Sequence, residues 1–288
     1  MQEMIVGKRF YAYPITHNSI YSCVEKAKKR MSLSHYTNVE ALLKILSEKK
    51  LKANRIDYMD DLQEKRFIQE AFDQNETIPY VVCFDNTLAE NIALWYMYTK
   101  NDTGIRITFF ADKKYNRDIF KSLFVEGADI EAYKQGQEKP VLFSQFRSTR
   151  GEYVYQKVYV NTKISDVIYN EAIANYYKPF PASDIKDWLI YAVLKAKEWR
   201  FQHETRVVAD FELFDYVQGK IENIPRFEYL KLPIWFDIIS KIEIVFSPWM
   251  GEEMKNMIRE HVQNMELGEI KDKLIFKNSK FTGLINRK

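Results

Sequence analysis

Residues 78–110 read "IPYVVCFDNTLAENIALWYMYTKNDTGIRITFF". The apolar run at 78–84 has the length of a buried strand and is too short for a helix. Residues 90–102 place apolar side chains at helical spacing, and Asn101, Asp102 and Gly104 end that helix. Residues 104–110 alternate apolar and polar, as a half-buried strand does. Strand, helix and strand thus follow one another, and outward from this stretch the alternation never becomes regular.

Upstream, residues 8–15 suit a short strand and 17–30 an amphipathic helix with a basic end. Residues 32–37 form a strand and 38–50 a helix, with Val39, Leu42, Leu43 and Leu46 on one face. Thr37 and Glu40 have capping-box spacing at its start, and Asp61 with Glu64 repeat the pattern before a helix over 61–72. Residues 51–61 join them as strand and loop. Downstream, strands are expected at 152–160, 205–213, 227–234 and 241–247, and helices at 165–177, 184–199 and 252–265. This irregular interspersion predicts an α+β fold, a mixed and mainly antiparallel sheet with flanking helices, rather than a doubly wound parallel sheet. No composition shift divides the chain, so one elaborated domain over 1–288 is expected, with residues 176–184 as a loop within it.

Nineteen Tyr and nineteen Phe among 288 residues can fill a core and line a pocket. Forty-three basic and 40 acidic residues leave a net charge of only +3, which argues against a nucleic-acid protein at the whole-chain level. Two cysteines without metal-site spacing exclude a disulfide framework and point to a reducing, cytoplasmic setting. No secretory leader and no apolar run of spanning length is legible, so no membrane partner is expected. The phosphate-cradling glycine motifs, GxSxG and HExxH are absent, and the four histidines lack ligand spacing, so no metal is expected.

Four short stretches carry candidate chemistry. "SHYT" sets His35 and Tyr36 at a strand end, as a cleft pair or, more plainly, as local packing. "MDDLQE" offers Asp60, Asp61 and Glu64, for which helix capping is the simpler role. "LWYMY" places Trp95 and Tyr98 at i and i+3 on one helix face, able to stack on a heterocycle, though such pairs are more often core. "FQHETR" puts Gln202, Glu204 and Arg206 on one strand face and His203 and Thr205 on the other. That polar face lines a cleft or forms a surface ion pair of little energy. Cys83, inside an apolar strand, reads as a buried structural thiol.

In this order the stretches resemble a bacterial family catalogued as domain of unknown function 2971. The matching elements are HYT at 35–37, DDLQE at 60–64, CFD at 83–85, LWYMY at 94–98, GIRITF at 104–109, KEWRFQHETR at 197–206 and IEIVFSP at 242–248. The likeness spans about 33–250, leaving a strand and helix at 1–32 and a helix and strand at 251–288 outside it. Asp60, Leu62, Asp85 and Gln202 depart from the family's Asn, Pro, Ser and Glu.

The family's layout is similar to that of the ADP-ribosyltransferases. That likeness implies NAD as substrate, His35 on its adenosine part, Tyr36 or Tyr98 with Trp95 as aromatic walls, and Glu204 as the catalytic carboxylate at the nicotinamide ribose. Gln202 stands beside it, and Arg206 steadies Glu204 or meets a phosphate. The implied activity is ADP-ribosyl transfer or NAD cleavage, as a toxin or phage-defence effector, onto a protein or nucleic-acid acceptor. Two other readings stand beside it. One is a non-catalytic nucleotide- or protein-binding module, sensor or antitoxin-like, motivated by Gln202 and Asp85. The other is a nucleic-acid-binding module, motivated by the basic stretches at 24–30 and 113–121.

Overall fold

The computed structural model describes residues 17–59, 61–71, 78–99, 101–112, 131–133, 141–142, 156–170, 188–215 and 227–285. The strand expected at 8–15, Asp60 and the basic stretch at 113–121 lie outside them.

Helix α1 (His17–Lys28) carries Lys26 and Lys28 in its last turn, where the helix dipole favours cations. Strand β1 (Ser32–Asn38) runs directly into α2 (Val39–Glu48). The cap of α2 is Asn38, whose Oδ1 accepts from Ala41 N at 3.0 Å. The expected Thr37 is instead a buried strand residue, because the helix starts one residue later than its spacing with Glu40 implies. Strand β2 (Lys50–Arg55) alternates buried and exposed. Asp61 caps α3 (Leu62–Ala71), accepting from Glu64 N at 3.3 Å, but the Glu64 side chain does not return to the cap.

Strand β3 (Tyr80–Asp85), α4 (Ile92–Tyr98) and β4 (Gly104–Ala111) realise the opening stretch. β4, paired at its edges with β1 and β12 (Ile239–Phe246), is buried on both faces rather than half-buried: Ile105, Ile107 and Phe109 lie in the core on one face and Arg106 and Thr108 are covered on the other. Its Thr108 meets Ser34 hydroxyl to hydroxyl at 2.9 Å on the face away from Ile105, Ile107 and Phe109.

β5 (Glu131–Tyr133), β6 (Val141–Leu142), β7 (Gln156–Asp166) and β8 (Ile168–Asn170) follow. The helix expected from 165 thus begins as strand. Asp166 pairs with Thr205 in the ladder and its carboxylate takes both Arg30 Nε and Nη2, at 2.9 and 2.5 Å. The helix expected over 184–199 is also cut short. α5 (Trp188–Val193) gives way to β9 (Leu194–Ala196), which pairs in parallel with β8, and then to a tight turn at Lys197–Gln202. Leu194, Lys195 and Ala196 are all buried, and no amphipathic helix buries three residues in succession on one face. β10 (Glu204–Asp215), β11 (Tyr229–Pro233), α6 (Glu252–Asn264) and β13 (Leu274–Asn278) complete the set, β12 lying between β11 and α6.

The chain has an α+β fold on a mainly antiparallel sheet that, among the described residues, has eleven strands with only the β12–β13 pair parallel. α2 and α6 pack on one face, joining Leu42, Leu46, Ile258 and Val262 to Ile107, Ile244 and Val207. On the other face α1, α3 and α5 bury Ile20, Ile68, Leu189 and Val193 against Val81 and Val208, and α4 buries Trp95 against Tyr36.

One feature of the pairing positions the site. β10 follows β3 along the whole length of one edge, from Glu204↔Asp85 to Ala209↔Tyr80. The opposite edge of β3 is shared. β2 takes it at Tyr80 and Val81, β1 takes it at Asp85, and the two strands part in between. Antiparallel alternation aims the peptide groups of Val81, Cys83 and Asp85 at that edge, so Cys83 faces the fork with no strand beside it.

Candidate functional site

His35 closes the gap in the ladder. Its Nδ1 lies 2.9 Å from the Cys83 carbonyl, replacing the absent strand partner. A carbonyl only accepts, so Nδ1 carries the proton and Nε2 is left as an acceptor. Burial pushes the imidazole below its ordinary value, and the Cys83 carbonyl opposes this only in part. His35 is therefore neutral at pH 7.

The fork opens into a cavity of about 90 Å³. β1 supplies Ser34, His35 and Tyr36, β3 supplies Cys83, Phe84 and Asp85, and α4 supplies Leu94 and Tyr98. Met59 stands across from them, with Gln202 and Glu204 where β10 begins. His203, held left-handed at φ 44°, turns the chain from the 197–202 turn into β10 and lays Glu204 on the inner face.

Behind Glu204 lies a buried cluster of two carboxylates and two cations. Arg206, fully buried, donates from Nε to Glu204 Oε1 at 2.7 Å and from Nη2 to Oε2 at 3.3 Å. Its Nη1 donates to Glu64 Oε1 and, at 2.8 Å, to the Ala192 carbonyl. Lys195 Nζ donates to Glu204 Oε2 at 3.1 Å and to Gln202 Oε1 at 2.8 Å, and lies 3.7 Å from Glu64 Oε2. Gln202 Nε2 then donates to the Tyr98 hydroxyl at 2.7 Å. The formal charges cancel, as a dry interior requires. Burial pushes the Glu204 carboxyl up, but Arg206 and Lys195 outweigh it and hold it down to about 2. Glu204 is thus ionised at any physiological pH, and it is no surface carboxylate. Beside it, burial and then the Glu204 charge push the Cys83 thiol well up, so it stays protonated and is no nucleophile.

The fork brings together five of the residues singled out in the sequence: His35, Tyr36, Tyr98, Gln202 and Glu204. Trp95 and Arg206 are not in the lining. Trp95 is fully buried in the core, edge-on to Tyr36 at 5.1 Å, and its Nε1 donates to Glu90 at 3.0 Å. Tyr98, at the end of the short α4, is 40% exposed and lines the cavity, whereas Trp95 does not. Arg206 is fully buried and reaches the cavity wall through Glu204.

Lys195 is a neighbour of the site that sequence reasoning did not find, and Glu64, offered there among the carboxylates of 60–64, was assigned to capping. Glu64 carried a capping signal that fully accounted for it, and its true partner is 142 residues away. Lys195 sat inside an expected helix. Of the basic stretch at 24–30, Arg30 is bound to Asp166 and Lys28 to Glu25, which takes two cations out of any phosphate-binding role.

The neutral state of His35 has a measurable consequence. Its folded pKa lies below the ordinary 6.5, so the unfolded chain takes up the proton first. The stability it contributes is full above about pH 6.5 and falls as pH drops through that value. Asp85, raised by burial above 3.8, works in the opposite sense, its contribution declining as pH rises. Glu204 titrates far lower and is silent in this range. Denaturant midpoints at pH 7.5 and 5.5 should therefore fall more for wild type than for His35→Gln, and equal changes would contradict the neutral imidazole.

No protein-family model matches the chain, and no curated protein matches it in sequence. Among the described residues, no group of three or more His, Cys, Asp or Glu side chains is placed to hold a metal ion, and no helix is long and apolar enough to cross a membrane.

Proposed function

We propose that the chain binds NAD as substrate and breaks its nicotinamide–ribose bond, passing the ADP-ribosyl group to water or to a macromolecular acceptor. The observation that carries this is Glu204, a carboxylate kept ionised by Arg206 and Lys195 yet set at the wall of an apolar-sided cavity with His35 and Tyr98.

In this reaction the C–N electron pair leaves with nicotinamide as a neutral ring, and positive charge develops on the ribose. The acceptor oxygen or nitrogen then bonds to that carbon and gives up its proton. A carboxylate fixed in advance beside the ribose stabilises the charge with no reorganisation at the moment of reaction. Met59, Phe84 and Leu94 limit the water that would screen it. His35 Nε2 is free to accept a ribose hydroxyl, consistent with the part that the family likeness implies for it.

The cavity volume sets a condition on entry. About 90 Å³ is less than the roughly 150 Å³ that accommodates a benzene-sized ring. The nicotinamide ring therefore enters only as the lining side chains give way.

One observation favours the non-catalytic alternative, a nucleotide-binding module. Glu204 already accepts from Arg206 twice and from Lys195. These contacts use three of the roughly four acceptor positions of a carboxylate. Mass spectrometry of labelled NAD, incubated with the protein alone and with a bacterial lysate, decides between the two. Loss of NAD with free nicotinamide and a labelled product is expected. NAD bound but unconsumed would leave the binding module, and NAD neither bound nor consumed would remove both.

A further inference from the structure

Asp85 is unlike the other polar groups around the cavity. It is only 4% exposed, and it lines the cavity. Its Oδ1 is satisfied twice, accepting from Thr87 N at 2.9 Å and from Thr87 Oγ1 at 2.8 Å. Its Oδ2 is buried and has no hydrogen-bond partner. Arg106, the cation that acts on it most, spends Nη2 on the Thr87 carbonyl at 2.9 Å, keeps a buried Nε without a partner, and forms no ion pair with it. Leaving a buried carboxylate oxygen unpaired is unfavourable, more so when it is charged, so it is a group awaiting a donor.

The rest of the wall sharpens what that donor is. His35 presents Nε2 as an acceptor, because Nδ1 is committed to Cys83. Glu204 is ionised. The Tyr36 and Tyr98 hydroxyls accept from Asn91 N and Gln202 Nε2, and each keeps its own proton to donate. Met59, Phe84 and Leu94 are apolar. The cavity is therefore rich in acceptors, closed by apolar walls, and offers the two tyrosine hydroxyls as its donors.

We propose that Asp85 is a specificity residue that receives the N–H group of a small planar heterocycle carrying a primary amide or amino substituent, and that it excludes the matching carboxylic acid. The inference deepens the function proposed above, in which that ring is nicotinamide, and rests on it for the identity of the ring alone. A ring amide gives Oδ2 the hydrogen bond it lacks. A ring carboxylate would bring a third negative oxygen pair against Asp85 and Glu204, with only neutral tyrosine hydroxyls to meet it. A site built to hydrogen-bond an N–H group discriminates strongly against an analogue without one, because its own buried acceptor stays unpaired.

The test is a calorimetric or NMR titration of the full chain with nicotinamide, nicotinate and 2-aminopyridine, wild type beside Asp85→Asn. Wild type should bind nicotinamide and 2-aminopyridine at least about tenfold more tightly than nicotinate, and Asp85→Asn should reduce that preference by about tenfold. The wild-type preference stands as a test even if the variant fails to fold. Equal binding of amide and acid, binding of none of the three, or a preference unchanged in a folded Asp85→Asn would overturn the proposal. Asp85-dependent binding without NAD consumption would retain this inference and reject the proposed reaction. NAD consumption with no Asp85-dependent preference would do the reverse.

Discussion

Glu204→Gln should lower the rate of NAD consumption on the order of 10²–10³-fold, the size of effect seen when one preorganised electrostatic group is lost at a developing charge. Gln keeps the shape and loses only the charge that opposes the positive ribose. The same substitution also leaves the buried cluster with Glu64, Lys195 and Arg206, a net positive charge in a dry site. Loss of activity could then reflect unfolding. Glu204→Gln combined with Lys195→Met separates the two effects, because Glu64 and Arg206 remain as a balanced pair. The double variant should melt closer to wild type than Glu204→Gln does, and still fail to consume NAD. Measured turnover of the folded double variant at the wild-type rate would remove Glu204 from the chemistry.

Arg206→Met should be the most destabilising single change in the site, by about 3–5 kcal/mol, because it strands two carboxylates with one lysine in a fully buried cluster. The melting temperature should drop by roughly 10 °C. Removing one carboxylate as well, in Glu64→Gln with Arg206→Met, restores neutrality between Glu204 and Lys195. The double variant should recover part of the loss, so the two substitutions will not add. Additive losses would show that the four groups do not act as one unit. Calorimetric melts of the four proteins complete the cycle, and the result does not depend on what the cavity binds.

The order of strands and helices was largely legible in the amino-acid sequence, because burial on one face imposes its period on each segment. The run at 78–110, the amphipathic α2 and α6, and the α+β class follow from that local rule. So does the face shared by Glu204 and Arg206, since a strand alternates whatever it packs against. The failures have a common cause. Residues 165–170 and 194–196 have apolar patterns compatible with helix, but long-range partners hold them extended: Thr205 and Arg30 at Asp166, and the carboxylates at Lys195. Glu64 looked like a cap because its local bond to the Asp61 side chain is real, while its ion pair with Arg206 crosses the fold.

The sequence by itself determined the elements and the candidate side chains His35, Tyr98 and Glu204. The tertiary structure alone decided what those side chains do. The parting of β1 from β2 along β3 makes the fork, turns His35 into a neutral ladder partner, and leaves Asp85 with an unmet oxygen. These are matters of which distant groups share a small, dry volume, and no local spacing encodes them.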